Sequence, residues 1–188
     1  MSAANQTKHQ LGLALKAELA TTPIDRVTVA GLAKTCGITR QTFYYHFADV
    51  YELAIWVFET DIADHIMAHA SYERWADGFL KMLHYMQEHD AQCYAVINTL
   101  TTEKLEQFFY YQLRNMMRAI VAELQGDRVL VAADRRFIID HFSLSVLAHL
   151  LHWLARGMRD DPRTLVVNLE YILRGSAERA LDLFAASS

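Results

Sequence analysis

Proline and glycine are scarce in this chain, and that scarcity limits its fold more than any other feature. The 188 residues include two prolines and seven glycines, whereas average usage would give about 9 and 13. Apolar residues recur at helical spacing almost everywhere, and no pair of segments has the alternation and turn residues of a β-hairpin. We therefore predict an all-α protein with long helices and few loops.

Signals for helix ends divide this pattern into nine segments. Asp49 and Glu52 have the spacing of a capping box, and Asp161 precedes a proline that suits the first helical position. The Thr22-Pro23 pair should stop the first helix. The predicted helices span residues 5–21, 28–35, 39–46, 49–69, 73–89, 91–99, 102–125, 130–156 and 162–186.

The charge of the chain changes sign near residue 48. Residues 1–47 carry five Lys and Arg against two Asp and Glu, whereas the remainder carries thirteen against twenty. A basic N-terminal part on an acidic body suggests that only the N-terminal part meets an anionic partner. We predict two domains, a basic domain over 1–48 and an acidic helical domain over 49–188.

Residues 28–47 have the pattern of a helix-turn-helix. Thr28 and Thr39 are suited to cap two short helices, and Gly37 between them permits a left-handed turn. Phe43 and Phe47 fall on the inner face of the second helix. The N-terminal end of such a helix enters the major groove of DNA.

This arrangement leaves a set of polar side chains free for DNA. Hydrogen-bonding groups at the start of the second helix suit base edges, and larger groups with polar tips further along suit phosphates. A threonine at a helix N-terminus can also offer its hydroxyl and N–H to a phosphate. The predicted DNA-binding residues are Thr28, Thr39, Arg40, Gln41, Thr42, Tyr44, Tyr45 and His46.

With these residues the chain resembles the TetR family of transcriptional regulators. The segment Thr42-Phe-Tyr-Tyr-His-Phe47 resembles the end of that family's recognition helix, and Leu32-Ala33 and Gly37-Ile38 fit the helix and turn before it. The resemblance implies a cytoplasmic homodimer in which 1–48 is a helix-turn-helix domain that binds double-stranded operator DNA. It implies that 49–188 is a helical dimerisation and effector-binding domain, which dimerises through its last two helices. It also implies that a small-molecule effector controls the protein and that the protein needs no cofactor.

One departure from the family concerns the start of the fourth helix. The family often has a phosphate-contacting lysine directly after the phenylalanine, whereas this chain continues Phe47-Ala48-Asp49. The run from Tyr44 to Leu53 and the segment from Phe137 to Pro162 also resemble a subgroup linked to dihydroxyacetone kinase operons.

The helix over 130–156 is apolar around most of its circumference, which is typical of a buried helix. Its polar side chains fall in one narrow stripe, which is a solvent-facing strip, the wall of an effector pocket or part of a dimer seam. Aromatic residues near position 110 could line a ligand cavity or simply pack. The candidate effector-binding residues are Phe108, Tyr111, His141, Ser145, His149 and His152.

The last helix carries apolar residues over nearly half of its circumference. One core-facing stripe needs only about 100°, so the last two helices have surplus apolar surface that a second copy would bury in a four-helix bundle. The predicted dimer-interface residues are Leu147, Leu151, Leu169 and Leu173.

Other classes of protein are less well supported. The sequence has no P-loop, GxGxxG, GxSxG or E-x-x-H motif, so a helical-bundle enzyme is a weak alternative. The His65–His69 pair could bind zinc but also suits a helix C-terminus, and we predict no metal site. Residues 1–10 lack the apolar core of a signal peptide, and no stretch is expected to cross a membrane. An interaction protein that kept this fold but lost DNA binding is the main alternative.

Overall fold

The computed structural model describes residues 3–186 and confirms the all-α prediction. Residues 1–2 and 187–188, at the ends of the two predicted domains, lie outside the described residues. Within 3–186 there are nine α-helices, one 3-10 turn (Ile24–Arg26) that the sequence analysis did not predict, and no strand. The helices are α1 (Ala3–Leu19), α2 (Val29–Thr35), α3 (Arg40–His46), α4 (Val50–Met67), α5 (Trp75–Glu88), α6 (Asp90–Ile97), α7 (Thr102–Gln125), α8 (Ala132–Ala155) and α9 (Pro162–Ala185).

The first of two compact units comprises residues up to 61 together with Ala91–Leu100. Its core consists of side chains from successive helices that are almost fully buried, among them Leu11, Leu15, Leu32, Phe43 and Leu53. The division between the units falls inside α4, after Asp61. The functional boundary that we expect near residue 48 stays a prediction, because a unit defined by contacts is not a unit defined by DNA binding.

The second unit comprises Ile62–Asp90 and the residues from 101 onward. In it α8 packs against both α7 and α9, and α5 packs against α9. A hydrogen-bonded ion pair of 2.6 Å joins Arg114 on α7 to Asp140 on α8. A second pair of 2.6 Å joins Arg128, after α7, to Asp182 on α9. These contacts fix α8 and α9 as neighbouring helices.

A kink interrupts α9, which the sequence analysis predicted as one continuous helix. Arg174 has ψ 125° and Gly175 has φ 82°, a left-handed backbone conformation that glycine adopts without strain. The Arg174 guanidinium hydrogen-bonds the Glu170 carboxylate at 2.8 Å and lies 3.6 Å from the Glu73 carboxylate. It also lies 5.6 Å from the centre of the Tyr72 ring. Anchoring at Arg174 holds the helix where Gly175 allows it to bend.

The helix α8 is the one described helix whose length and apolar composition would suit a membrane span. Half of its most apolar stretch is buried within the protein, because α8 packs on α7 at one side and on α9 at another. This packing is that of a core helix.

Candidate DNA-binding surface and the exposed face of α8 and α9

The turn between α2 and α3 forms as the sequence predicts. Thr28 caps α2, and its Oγ1 accepts a hydrogen bond of 3.1 Å from the N–H of Gly31. Gly37 has φ 65° and donates to the Lys34 carbonyl at 3.2 Å, while the next N–H, of Ile38, donates to the Ala33 carbonyl at 2.9 Å. This pair of bonds is a Schellman motif, which satisfies the last carbonyls of α2 and redirects the chain into α3.

The recognition helix α3 is fixed at its start by a cap and along its inner face by two phenylalanines. The Thr39 Oγ1 accepts from the N–H of Thr42 at 3.1 Å, and the two threonine hydroxyls share one hydrogen bond of 2.9 Å. Phe43 is fully buried and Phe47 is 3% exposed, with their ring centres 6.0 Å apart. Because both aromatic anchors point inward, the polar side chains of α3 point outward.

All eight predicted DNA-binding residues lie on the outward side or at the helix caps. Arg40 and Gln41 are exposed, and Thr42 and His46 are half-buried. Tyr45 is 81% exposed, and its ring lies edge-on to that of His46 with 4.9 Å between centres. The remaining members, Thr28, Thr39 and Tyr44, are also exposed. The arrangement presents hydrogen-bonding groups on the outer side of α3 and at the caps of α2 and α3, where they can reach base edges and phosphates.

Two carboxylates occupy the N-terminus of α4, the helix that follows α3. The Asp49 Oδ1 accepts from the N–H of Glu52 at 2.8 Å, and the Glu52 carboxylate accepts from the N–H of Ala48. The predicted capping pair therefore forms, with Glu52 bonding the residue before the cap instead of the cap itself. An N–H group that a phosphate could bind is occupied by the chain's own anion.

The other notable surface is a groove between α8 and α9. It has a volume of about 400 Å³ and is lined mostly by apolar and aromatic side chains, with His141, Ser176 and Arg179 as its polar members. Phe137 on α8 and the α9 residues Ile172 and Leu183 border it while each is about 60% exposed. These three residues belong to the apolar arcs that the sequence predicts on the last two helices, but they are not among the four residues predicted for the dimer interface.

The four leucines predicted for the dimer interface are buried or half-buried within the protomer, and their role in a dimer stays a prediction. Leu147, Leu169 and Leu173 are between 3% and 5% exposed, inside the second unit's own core, and Leu151 is half-buried. The surplus apolar surface exists on α8 and α9, but other side chains supply it. The helical wheel located an apolar arc without showing which edge of that arc the neighbouring helices cover.

The predicted effector-binding residues are not gathered around one cavity. His141 lines the groove, whereas Ser145, His149 and His152 are exposed along α8. Tyr111 is exposed and Phe108 half-buried on α7. Their role in effector binding stays a prediction.

The two histidines near the end of α4 contact neighbouring side chains on α5. The His69 Nε2 lies 3.3 Å from the Lys81 Nζ, and the His65 ring centre lies 4.9 Å from that of Tyr85. Within residues 3–186, no three His, Cys, Asp or Glu side chains are grouped to hold a metal ion.

Comparison with known proteins identifies two family models. One, described as "Bacterial regulatory proteins, tetR family", matches residues 14–55. The other, described as "Transcriptional regulator C-terminal region" of the TetR type, matches residues 73–175, which is more than half of the chain.

Individual relatives point the same way. The chain is 26% identical over 134 residues to the "HTH-type dhaKLM operon transcriptional activator DhaS" of Lactococcus lactis, covering 70% of this chain and 71% of that protein. Among solved structures it is similar to "Dihydroxyacetone kinase operon activator DhaS", with a TM-score of 0.67, 23% identity and coverage of 92% and 97% of the two chains. It is also similar to the TetR family repressor AlkX from Dietzia, with a TM-score of 0.61, 17% identity and coverage of 93% and 96%.

Proposed function

The chain belongs to the TetR family of transcriptional regulators, and we propose that its α3 enters the major groove of an operator as a DNA-reading helix. One observation carries this placement, namely that Phe43 and Phe47 are buried while Arg40, Gln41, Tyr44 and Tyr45 are exposed. On this model Arg40, Gln41 and Thr42 contact bases. Thr28, Thr39, Tyr44, Tyr45 and His46 contact phosphates beside the groove.

We propose that the operator-binding form is a homodimer joined through α8 and α9. Phe137, Leu144, Ile172 and Leu183 leave at least half of each side chain exposed on these two helices. These side chains and the groove of about 400 Å³ between α8 and α9 together form an apolar surface of the kind that marks protein interaction sites. A two-fold axis through this face repeats α3, so the operator has two half-sites one helical turn or a multiple apart.

The target is proposed from the relatives. DhaS carries the name of a dhaKLM operon activator, and this chain is 26% identical to it over 134 residues. We propose that the chain acts at an operon of dihydroxyacetone kinase type encoded beside its own gene. A small-molecule effector is expected to act by binding one conformation of the dimer more tightly than the other, which changes the affinity for DNA by the same coupling.

A mobility-shift titration with the DNA upstream of its own gene tests this function. We expect a complex at nanomolar protein with that DNA, and binding at least 1,000-fold weaker to a random duplex of equal length. Equal, weak affinity for the two duplexes would instead favour an interaction protein that has lost operator contacts.

The predicted effector-binding role of the polar side chains His141, Ser145, His149 and His152 on α8 has its own test. In the absence of effector, His149→Ala should bind DNA like the wild type. Only its response to metabolites of the enzymes that the operon encodes should change. An unchanged response would assign His149 to the solvent-facing surface.

A further inference from the structure

Lys8 lies at the end of the recognition helix although it is far from it in sequence. Its ammonium nitrogen on α1 is 5.2 Å from the centre of the Phe47 ring and 5.9 Å from that of the Trp56 ring. Phe47 is the residue that directly follows α3. The two rings attract the cation by their negative faces, and so hold it beside the junction of α3 and α4.

The Lys8 ammonium group lies near two aromatic rings but has no ion-pair partner among residues 3–186. Among the described residues no carboxylate lies within ion-pair distance of it, whereas Lys16, two turns further along the same helix, pairs with Asp61 at 2.6 Å. Lys8 is half-buried, so its position is restricted while its ammonium group keeps contact with solvent. A positioned cation without a counter-ion is suited to bind an anion that arrives from outside.

The dimensions of α3 and of the DNA major groove indicate that this anion is a DNA phosphate. A helix of seven residues such as α3 is about 10 Å long, and the major groove is about 12 Å wide. When the start of α3 is on the bases, its end reaches the phosphates that border the groove. Tyr44 and His46, on the last turn of α3, and the Phe47 that supports Lys8 are all at this end.

We propose that Lys8 binds a DNA phosphate at the end of α3 and supplies from α1 the cation that the start of α4 lacks. At that start, Asp49 and Glu52 present negative charge and occupy backbone N–H groups. Without a cation nearby, this junction would repel the phosphate that α3 brings to it. The inference rests on the proposed placement of α3 in the major groove.

The test removes the charge and keeps a polar side chain at this position. Lys8→Gln should weaken binding to operator and to a random duplex by the same factor, because a phosphate contact carries no sequence information. One lost phosphate contact lowers the salt slope by about 0.9, so the defect at 50 mM salt should be about threefold larger than at 200 mM. Lys8→Arg, which keeps the charge and can stack on both rings, should bind DNA like the wild type.

Lys16→Gln is the matched control, because it removes the same charge from the same helix at a position already paired with Asp61. Thermal unfolding of each variant separates a folding defect from a binding defect. A salt slope unchanged in Lys8→Gln, or a loss equal to that of Lys16→Gln, would overturn the proposal and leave Lys8 a packing residue. If the wild type binds neither duplex, the proposed function fails first.

Discussion

The surface around α3 and the surface between α8 and α9 are both exposed, but their chemistry is opposite. Around α3 the exposed side chains hydrogen-bond, and water satisfies them as well as DNA does. Between α8 and α9 the exposed side chains are Phe137, Ile172 and Leu183, which border an apolar groove. These apolar side chains and the apolar lining of the groove form no hydrogen bonds with water, so their exposure is unfavourable.

This difference separates a transient contact from a lasting one. Each Å² of apolar surface removed from water contributes about 25 cal/mol, so covering the α8–α9 face favours a stable dimer. The binding of the α3 face to DNA is favoured mainly because it releases counterions from phosphates, and this contribution to the binding free energy falls as the salt concentration rises. A regulator needs both properties, since it must stay dimeric while it leaves and returns to its operator.

The largest effect is expected where the α8–α9 surface meets the core. Leu173 is 5% exposed, so Leu173→Asp buries an unpaired charge and should lower the free energy of unfolding by about 4 kcal/mol. Chemical denaturation of the variant measures this loss. If Leu173→Asp instead unfolds like the wild type but sediments as a monomer, Leu173 faces the partner, as the sequence alone suggested.

The neighbouring residue tests the outer side of the same helix. Ile172 is 61% exposed, so Ile172→Asp should leave the protomer folded and raise the dimer dissociation constant about 100-fold. Operator affinity should fall with it, because the two half-sites are then bound independently.

Sedimentation at micromolar concentration measures the dimer, and Val129→Asp is the control. Val129 is 79% exposed but lies in the connection between α7 and α8. A fully dimeric Ile172→Asp protein would remove α8–α9 from the dimer model.

The helix-turn-helix was predictable residue by residue because its determinants are local. Thr28, Gly37 and Thr39 act on backbone groups within five positions of themselves. Once those caps and the turn are set, the inward placement of Phe43 and Phe47 decides which α3 residues face out. A sequence pattern contains all of that information.

The α8–α9 region was predictable only in outline because its determinants are distant in sequence. Whether Leu169 or Ile172 faces the core depends on where α5, α7 and α8 pack against α9. Arg174, at the kink, forms an ion pair with Glu73, about a hundred positions earlier. Gly175 indicates a place where the helix can bend, but helical periodicity does not show that Arg174 contacts Glu73. Likewise, nothing in the order of residues brings Lys8 next to Phe47.

A smaller effect is expected on the α3 face. Gln41→Ala should reduce discrimination at one operator position by about 1–3 kcal/mol while binding to a random duplex hardly changes. Tyr44→Phe removes one hydroxyl and should weaken binding to both duplexes alike. Titration of operator, single-base variants and random duplex measures both results. Equal weakening on all duplexes by Gln41→Ala would reassign Gln41 to a phosphate.

The smallest effect is expected at the start of α4, and it should be a gain. Asp49→Asn keeps a good N-cap, and Glu52→Gln keeps an oxygen that can accept from the Ala48 N–H. Each change therefore removes charge without removing the acceptor. A carboxylate about 8 Å from a phosphate opposes binding by about 0.5 kcal/mol in water. Each variant should therefore bind DNA roughly twofold more tightly at low salt, and this gain should fade at high salt.

Glu18→Gln is the control, because it removes a carboxylate far from the start of α4. The Lys16–Asp61 pair places that end of α1 beside α4 twelve positions beyond Asp49. Tighter binding by Glu18→Gln as well would mean that overall charge sets the affinity, and unchanged binding by all three variants would place the start of α4 away from the phosphates.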